Sequence, residues 1–146
     1  MKKIIVMTVV LLLTLSCLTG CNFTQNMSGA IAGEAEATPK AEEMMAALAS
    51  ENMADAKALL HPQVAETSEN ALAQMSAYLS GRTASAMERR SITVNTSTGT
   101  SGNSRQERVA YHVTLSDGAE IFLNVVYLSN SQGTGFVSFQ VVLGVI

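Results

Sequence analysis

Residues 109–128 read Val109-Ala110-Tyr111-His112-Val113-Thr114-Leu115, then Ser116-Asp117-Gly118-Ala119-Glu120, then Ile121-Phe122-Leu123-Asn124-Val125-Val126-Tyr127-Leu128. Val109, Tyr111, Val113 and Leu115 alternate with Arg108, Ala110, His112 and Thr114, the period-two pattern of a strand with one buried face. Asp117-Gly118 is then a strong signal for a tight hairpin turn. The second strand differs from the first because Phe122, Val126 and Leu128 alternate with Ile121, Leu123, Val125 and Tyr127, so both of its faces are apolar. An antiparallel sheet with one wet side shows polar residues there. The outer face at Phe122, Val126 and Leu128 is therefore expected to meet a partner, with a second copy of the chain as the candidate.

Toward the C-terminus, residues 130–135 read as a turn and residues 136–146 as a closing strand. Toward the N-terminus, Ile92 and Val94 alternate with Thr, and the Thr-Ser-Thr-Gly-Thr-Ser-Gly-Asn run at 96–103 reads as a hairpin loop. Before residue 91 the period is helical. Thr38-Pro39 predicts a helix start, with Thr as N-cap and Pro at the first helical position, ahead of the stripe Met44, Met45 and Leu48. A second short helix over 53–60 buries Ala56, Leu59 and Leu60 and is stopped by His61-Pro62. A third over 68–80 carries Leu72, Met75 and Leu79, with Gly81 placed to end it. Helices first and about four antiparallel strands afterwards predict an α+β domain with the helices on one sheet face.

The N-terminus has a different character. Met1-Lys2-Lys3 is followed by an apolar run at 4–15, too short to span a bilayer and of the right length for a secretion signal. Leu18-Thr19-Gly20-Cys21 comes next and resembles the bacterial lipobox, an aliphatic residue and two small ones before a cysteine. The resemblance implies that the Cys21 thiol receives diacylglycerol and that a signal peptidase cuts between Gly20 and Cys21. Cys17 is the rival acceptor, but Thr14-Leu15-Ser16 puts a polar residue nearby where an aliphatic one belongs. The expected organisation is a cleaved signal at 1–20, a lipid-anchored tether at 21–39 and a domain at 40–146. Two acyl chains, at about 0.8 kcal/mol per buried methylene, hold such a domain to a membrane surface.

These assignments narrow the chemistry. Cys17 leaves with the signal and Cys21 becomes a thioether, so the mature domain has no free thiol for a disulfide, a zinc site or a nucleophile. Removal of Lys2 and Lys3 leaves seven Lys/Arg against twelve Asp/Glu, a formal balance of minus five. Scattered cations in an acidic chain give no basis for nucleic-acid binding.

The order of elements, the Asn52-Met53-Ala54-Asp55-Ala56-Lys57-Ala58-Leu59-Leu60-His61-Pro62 stretch, the Tyr78-Leu79-Ser80-Gly81 helix end and the Gly133-Thr134-Gly135 strand entry together resemble the cystatin-like α+β roll of the nuclear-transport-factor-two-like superfamily. The likeness is greatest to small lipoproteins of Gram-positive bacteria. It implies a curved sheet around a long helix, enclosing a conical pocket that hosts isomerases, dehydratases, ligand binders and interaction modules. Fold alone does not choose among these. Tyr78, Tyr111 and Tyr127 are the residues expected to line such a cone, as ligand contacts or as core.

His112 shares the polar face of its strand and is expected to look outward, whereas His61 is expected to cap a helix end as a cation. A general base in the cone needs a carboxylate, and the strands offer only Asp117 and Glu120, both near a turn. Two histidines without a carboxylate at helical spacing make no metal site, and no glycine-rich phosphate loop follows a strand. The reading is of a non-enzymatic, extracytoplasmic binding or interaction module, anchored by lipid on Cys21 and without a cofactor or metal. The alternative is an isomerase- or dehydratase-like enzyme working in the conical pocket.

Overall fold

A computed structural model of the protein describes residues 25–28 and 35–143. The signal segment, the Gly20/Cys21 junction and Cys17 lie outside the described residues. The elements are β1 (Gln25–Ser28), α1 (Ala37–Ala49), α2 (Met53–Ala58), α3 (Pro62–Ala65), α4 (Glu69–Leu79), β2 (Ala84–Gly99), β3 (Gly102–Leu115), β4 (Glu120–Asn130) and β5 (Gly133–Leu143). All strands pair antiparallel in the order β1-β2-β3-β4-β5. The fold is α+β, with the helices ahead of the four long strands of one open sheet.

Tyr111, Val113 and Leu115 on β3, Ile121 and Leu123 on β4, and Phe136, Phe139 and Val141 on β5 are buried on the inner face. Met44, Met45 and Leu48 of α1 and Leu72, Met75 and Leu79 of α4 complete the same core. Each side chain of this size gains about 1.5–3 kcal/mol on full burial, which replaces the aromatic mass the chain lacks. Phe136 stacks edge-on with both Tyr127 and Phe139, at centroid distances of 5.0 and 5.4 Å. Ser76 Oγ donates to the Leu48 carbonyl at 2.8 Å, which fastens α4 to α1 through a buried polar group.

Several boundaries differ from expectation for identifiable reasons. Strand β2 begins at Ala84 rather than near residue 91, because register shifts at Ala84/Ala86 and Arg89/Ser91 break the alternation a sequence pattern needs. The hairpin turn expected in the Ser/Thr run at 96–103 is confined to residues 100–101. Both strands continue through it to Gly99 and Gly102, and Ser97 Oγ meets Ser104 Oγ across the ladder at 2.7 Å. Gly102 takes φ 103°, a conformation that only glycine adopts readily. Residues placed in the tether also join the domain: β1 pairs with β2, and Ala35 and Ala37 are buried, so the domain begins by residue 35 rather than 40.

The start of α1 carries the largest correction. Thr38 is not the N-cap, since the helix begins at Ala37 and its N-cap residue Glu36 makes no side-chain cap. Glu107 of β3, 1% exposed, caps it from a distance instead. Its carboxylate accepts the Ala37 N–H at 3.0 Å and the Glu36 N–H at 3.3 Å, while the Arg105 guanidinium donates to it at 2.8 Å. A negative charge at the positive end of a helix dipole satisfies orphan donors and offsets its own desolvation. Thr38 contributes elsewhere, with its hydroxyl 2.9 Å from that of Tyr111.

His61 is also corrected in role. It is fully buried and caps the start of α3, its Nδ1 accepting the Gln63 N–H at 3.2 Å. The proton is thus on Nε2, which donates to Asn130 Oδ1 at 3.1 Å. The linker at 59–61 runs beside β5 with His61 N–H donating to the Phe136 carbonyl and Phe136 N–H to the Leu59 carbonyl. A Cβ on Gly135 would lie 2.5 Å from the backbone of Leu60 and His61, so only glycine admits this approach.

Candidate functional site

The inner face of the sheet holds the three tyrosines expected at a conical pocket only in part. Tyr111 is buried, with its hydroxyl paired to Thr38, and burial raises its pKa above the ordinary phenol value. Tyr127 is 7% exposed against Phe136, and burial raises its pKa in the same way. Tyr78 projects from α4 and lies under the Arg82 guanidinium, 4.8 Å from ring centroid to Cζ. Tyr111 and Tyr127 are packed core residues, and Tyr78 is engaged at the end of α4.

The opposite face of the sheet carries no helix in the described residues, and its composition follows from strand register. One cross-strand row is Ser91, Ala110, Asn124 and Gln140, contributed in turn by β2, β3, β4 and β5. The adjacent row is Thr93, Arg108, Val126 and Ser138. Together these two rows line a recess of about 270 Å³. Short side chains at Ser91, Ala110 and Ser138 leave the depression, and the longer Arg108, Asn124 and Gln140 rise around it.

A third row lies on the far side of Ser91 and Asn124: Glu88, His112, Phe122 and Val142. His112 faces outward as its strand parity predicts, with its ring 5.2 Å from that of Phe122 and its Nε2 3.8 Å from a Glu120 carboxylate oxygen. Phe122, at 42% exposed, is the large apolar side chain left open to solvent among the described residues.

The continuous apolar stripe expected from Phe122, Val126 and Leu128 is therefore not formed. Leu128 is 7% exposed and belongs to the core cluster, and Val126 is half-buried between Arg108 and Ser138. Asn124 interrupts the stripe, and the residues of β2, β3 and β5 complete a face in which hydroxyls and amides alternate with charged and apolar side chains.

Two residues that matter to this geometry went unsingled in the sequence. Glu107 occupies the inward parity of Val109 and Tyr111, so a charge on the apolar phase was the available sign. Arg108 stands on the outward parity, and only the pairing of four strands shows what surrounds it. Chemically the recess can donate and accept hydrogen bonds and pair one anionic group. Among the described residues no cluster of three or more His, Cys, Asp or Glu is arranged to hold a metal ion. No protein-family model, curated protein or solved structure matches the chain.

Proposed function

We propose that this protein is a lipid-anchored, extracytoplasmic binding module whose recognition surface is the helix-free face of the sheet. The observation that carries this reading is the recess itself, a depression of mixed polar and apolar lining built from two cross-strand rows on the face the helices leave uncovered. The lipobox at 18–21 supports membrane attachment through Cys21, and the order of α1 and the antiparallel meander supports a cystatin-like roll. The packed side chains between helices and sheet favour binding on the outside over catalysis in a cone, so the protein is read as a non-enzyme.

A single introduced thiol tests the reading. Lipidated at Cys21, the mature chain has no other thiol, so Ala110→Cys in the recess and Ala77→Cys at an exposed position of α4 are, each in its own variant, the sole target for a membrane-impermeant maleimide. Both are expected to label on intact cells. Labelling only after lysis would place the domain inside the cell and overturn the proposal.

A further inference from the structure

Three of the five arginines in the described residues have carboxylate partners, Arg82 with Asp117, Arg90 with Glu88 and Arg105 with Glu107, and Arg89, exposed beside Tyr111, lies outside the recess. Arg108 is different. It is exposed, is the one charged side chain lining the recess, and makes no ion pair among the described residues. An uncommitted guanidinium presents a planar fork that matches a carboxylate or phosphate. The groups around it, the hydroxyls of Ser91, Thr93 and Ser138 and the amides of Asn124 and Gln140, are uncharged and can both donate and accept.

From this arrangement we infer that the recess binds an acidic sugar. This rests on the helix-free face being the recognition surface. The anionic group meets Arg108, the ring hydroxyls lie over Ala110 between Ser91 and Asn124, and one C–H face of the ring is turned toward exposed Phe122. The dimensions agree: four strands spaced about 4.8 Å apart span about 14 Å, and successive rows are about 6.7 Å apart, the scale of one or two sugar rings. A peptide fits less well, because extended peptides bind by adding to a sheet edge, whereas on this face the backbone groups are already spent in the ladders. A second protein molecule would want a cluster of buried apolar or aromatic anchors, and Phe122 stands alone.

The test is an NMR titration of the full chain in detergent micelles with digalacturonic acid, glucose 6-phosphate and maltose. Amides of Ser91, Thr93, Arg108, Ala110, Asn124 and Ser138 are expected to shift with an acidic sugar, and the stronger of the two acids identifies carboxylate or phosphate as the recognised group. Maltose should bind at least about tenfold more weakly, and Arg108→Gln should weaken the acidic sugar by a similar factor, the scale of one charge-assisted hydrogen bond. Arg108→Gln should melt with the parent, because the side chain has no partner to lose. Equal binding of maltose, or undiminished binding by Arg108→Gln, overturns the acidic-sugar assignment while leaving the face as a binding surface. No shift of these amides by either acid overturns it too, and concentration-dependent shifts without sugar would assign the face to a second copy. Failure of the thiol-labelling test strikes the export reading instead and leaves these shifts to be judged on their own.

Discussion

Replacing Glu107 with alanine should destabilise the domain by about 2–3 kcal/mol. The carboxylate satisfies two backbone donors at the start of α1, from Ala37 at 3.0 Å and Glu36 at 3.3 Å. Loss of an N-cap alone costs about 0.5–2 kcal/mol, and hydrogen bonds to a charged group are worth about 1.5–3 kcal/mol each before the desolvation of the carboxylate is subtracted. Arg105 adds little, since its side chain is 43% exposed and regains water when the pair is broken. At about 4 °C per kcal/mol for a domain of this size, the melting temperature should fall by about 8–12 °C. Urea unfolding followed by far-UV circular dichroism gives the free energy, and hydrogen exchange locates it: the first turn of α1 should lose protection before α4 does. Glu107→Gln, which keeps one acceptor oxygen, should fall between the parent and Glu107→Ala. A melting temperature for Glu107→Ala within 2 °C of the parent would refute the account of how α1 is docked.

Three further outcomes are expected. Gly135→Ala should cost about 1–3 kcal/mol, because its methyl would meet the backbone of Leu60 and His61 and force the α2–α3 linker off β5; unchanged urea midpoints would contradict this. A double-mutant cycle of Thr38→Val and Tyr111→Phe should give a coupling of about 0.5–1.5 kcal/mol for their hydroxyl pair, and zero coupling would show that the contact carries no energy. Asp117 has its pKa held below the ordinary aspartate value, first by the Ala119 N–H and then by Arg82. A depressed folded pKa contributes stability that is present above the unfolded value and lost as pH falls through the folded one. The stability gap between parent and Asp117→Asn should therefore be constant near neutrality and close below about pH 4, and a gap that widens on acidification would reverse the sign of the argument.

Much of the architecture is readable from residue order alone. The alternation at 109–115, the Asp117-Gly118 turn and the helix at Glu69–Leu79 ending before Gly81 are local signals, and local chemistry decides them. Where the expectation failed, the cause was non-local. Ser97 and Thr98 have loop-forming composition, yet they are strand residues because β3 pairs with them along the whole length of the hairpin. Thr38 looks like a cap, but a carboxylate 70 residues away takes that place. Leu128 follows the parity of Phe122 and is nevertheless buried, beyond the register shift at Val126/Tyr127. The recess was least readable of all, since Ser91, Ala110, Asn124 and Gln140 become neighbours only when four strands are in register. Gly135 shows the reverse case: noticed as part of a strand entry, it finds its physical reason in the backbone of the linker beside it.

Attachment to the outside of a membrane is the claim that sets where the proposed module works, and it has a direct measurement. Mass spectrometry of the native protein should find an N-terminal peptide beginning at Cys21, heavier than its amino-acid composition by a thioether-linked diacylglycerol. An N-terminal peptide that retains Met1, with Cys21 as a free thiol, would contradict it.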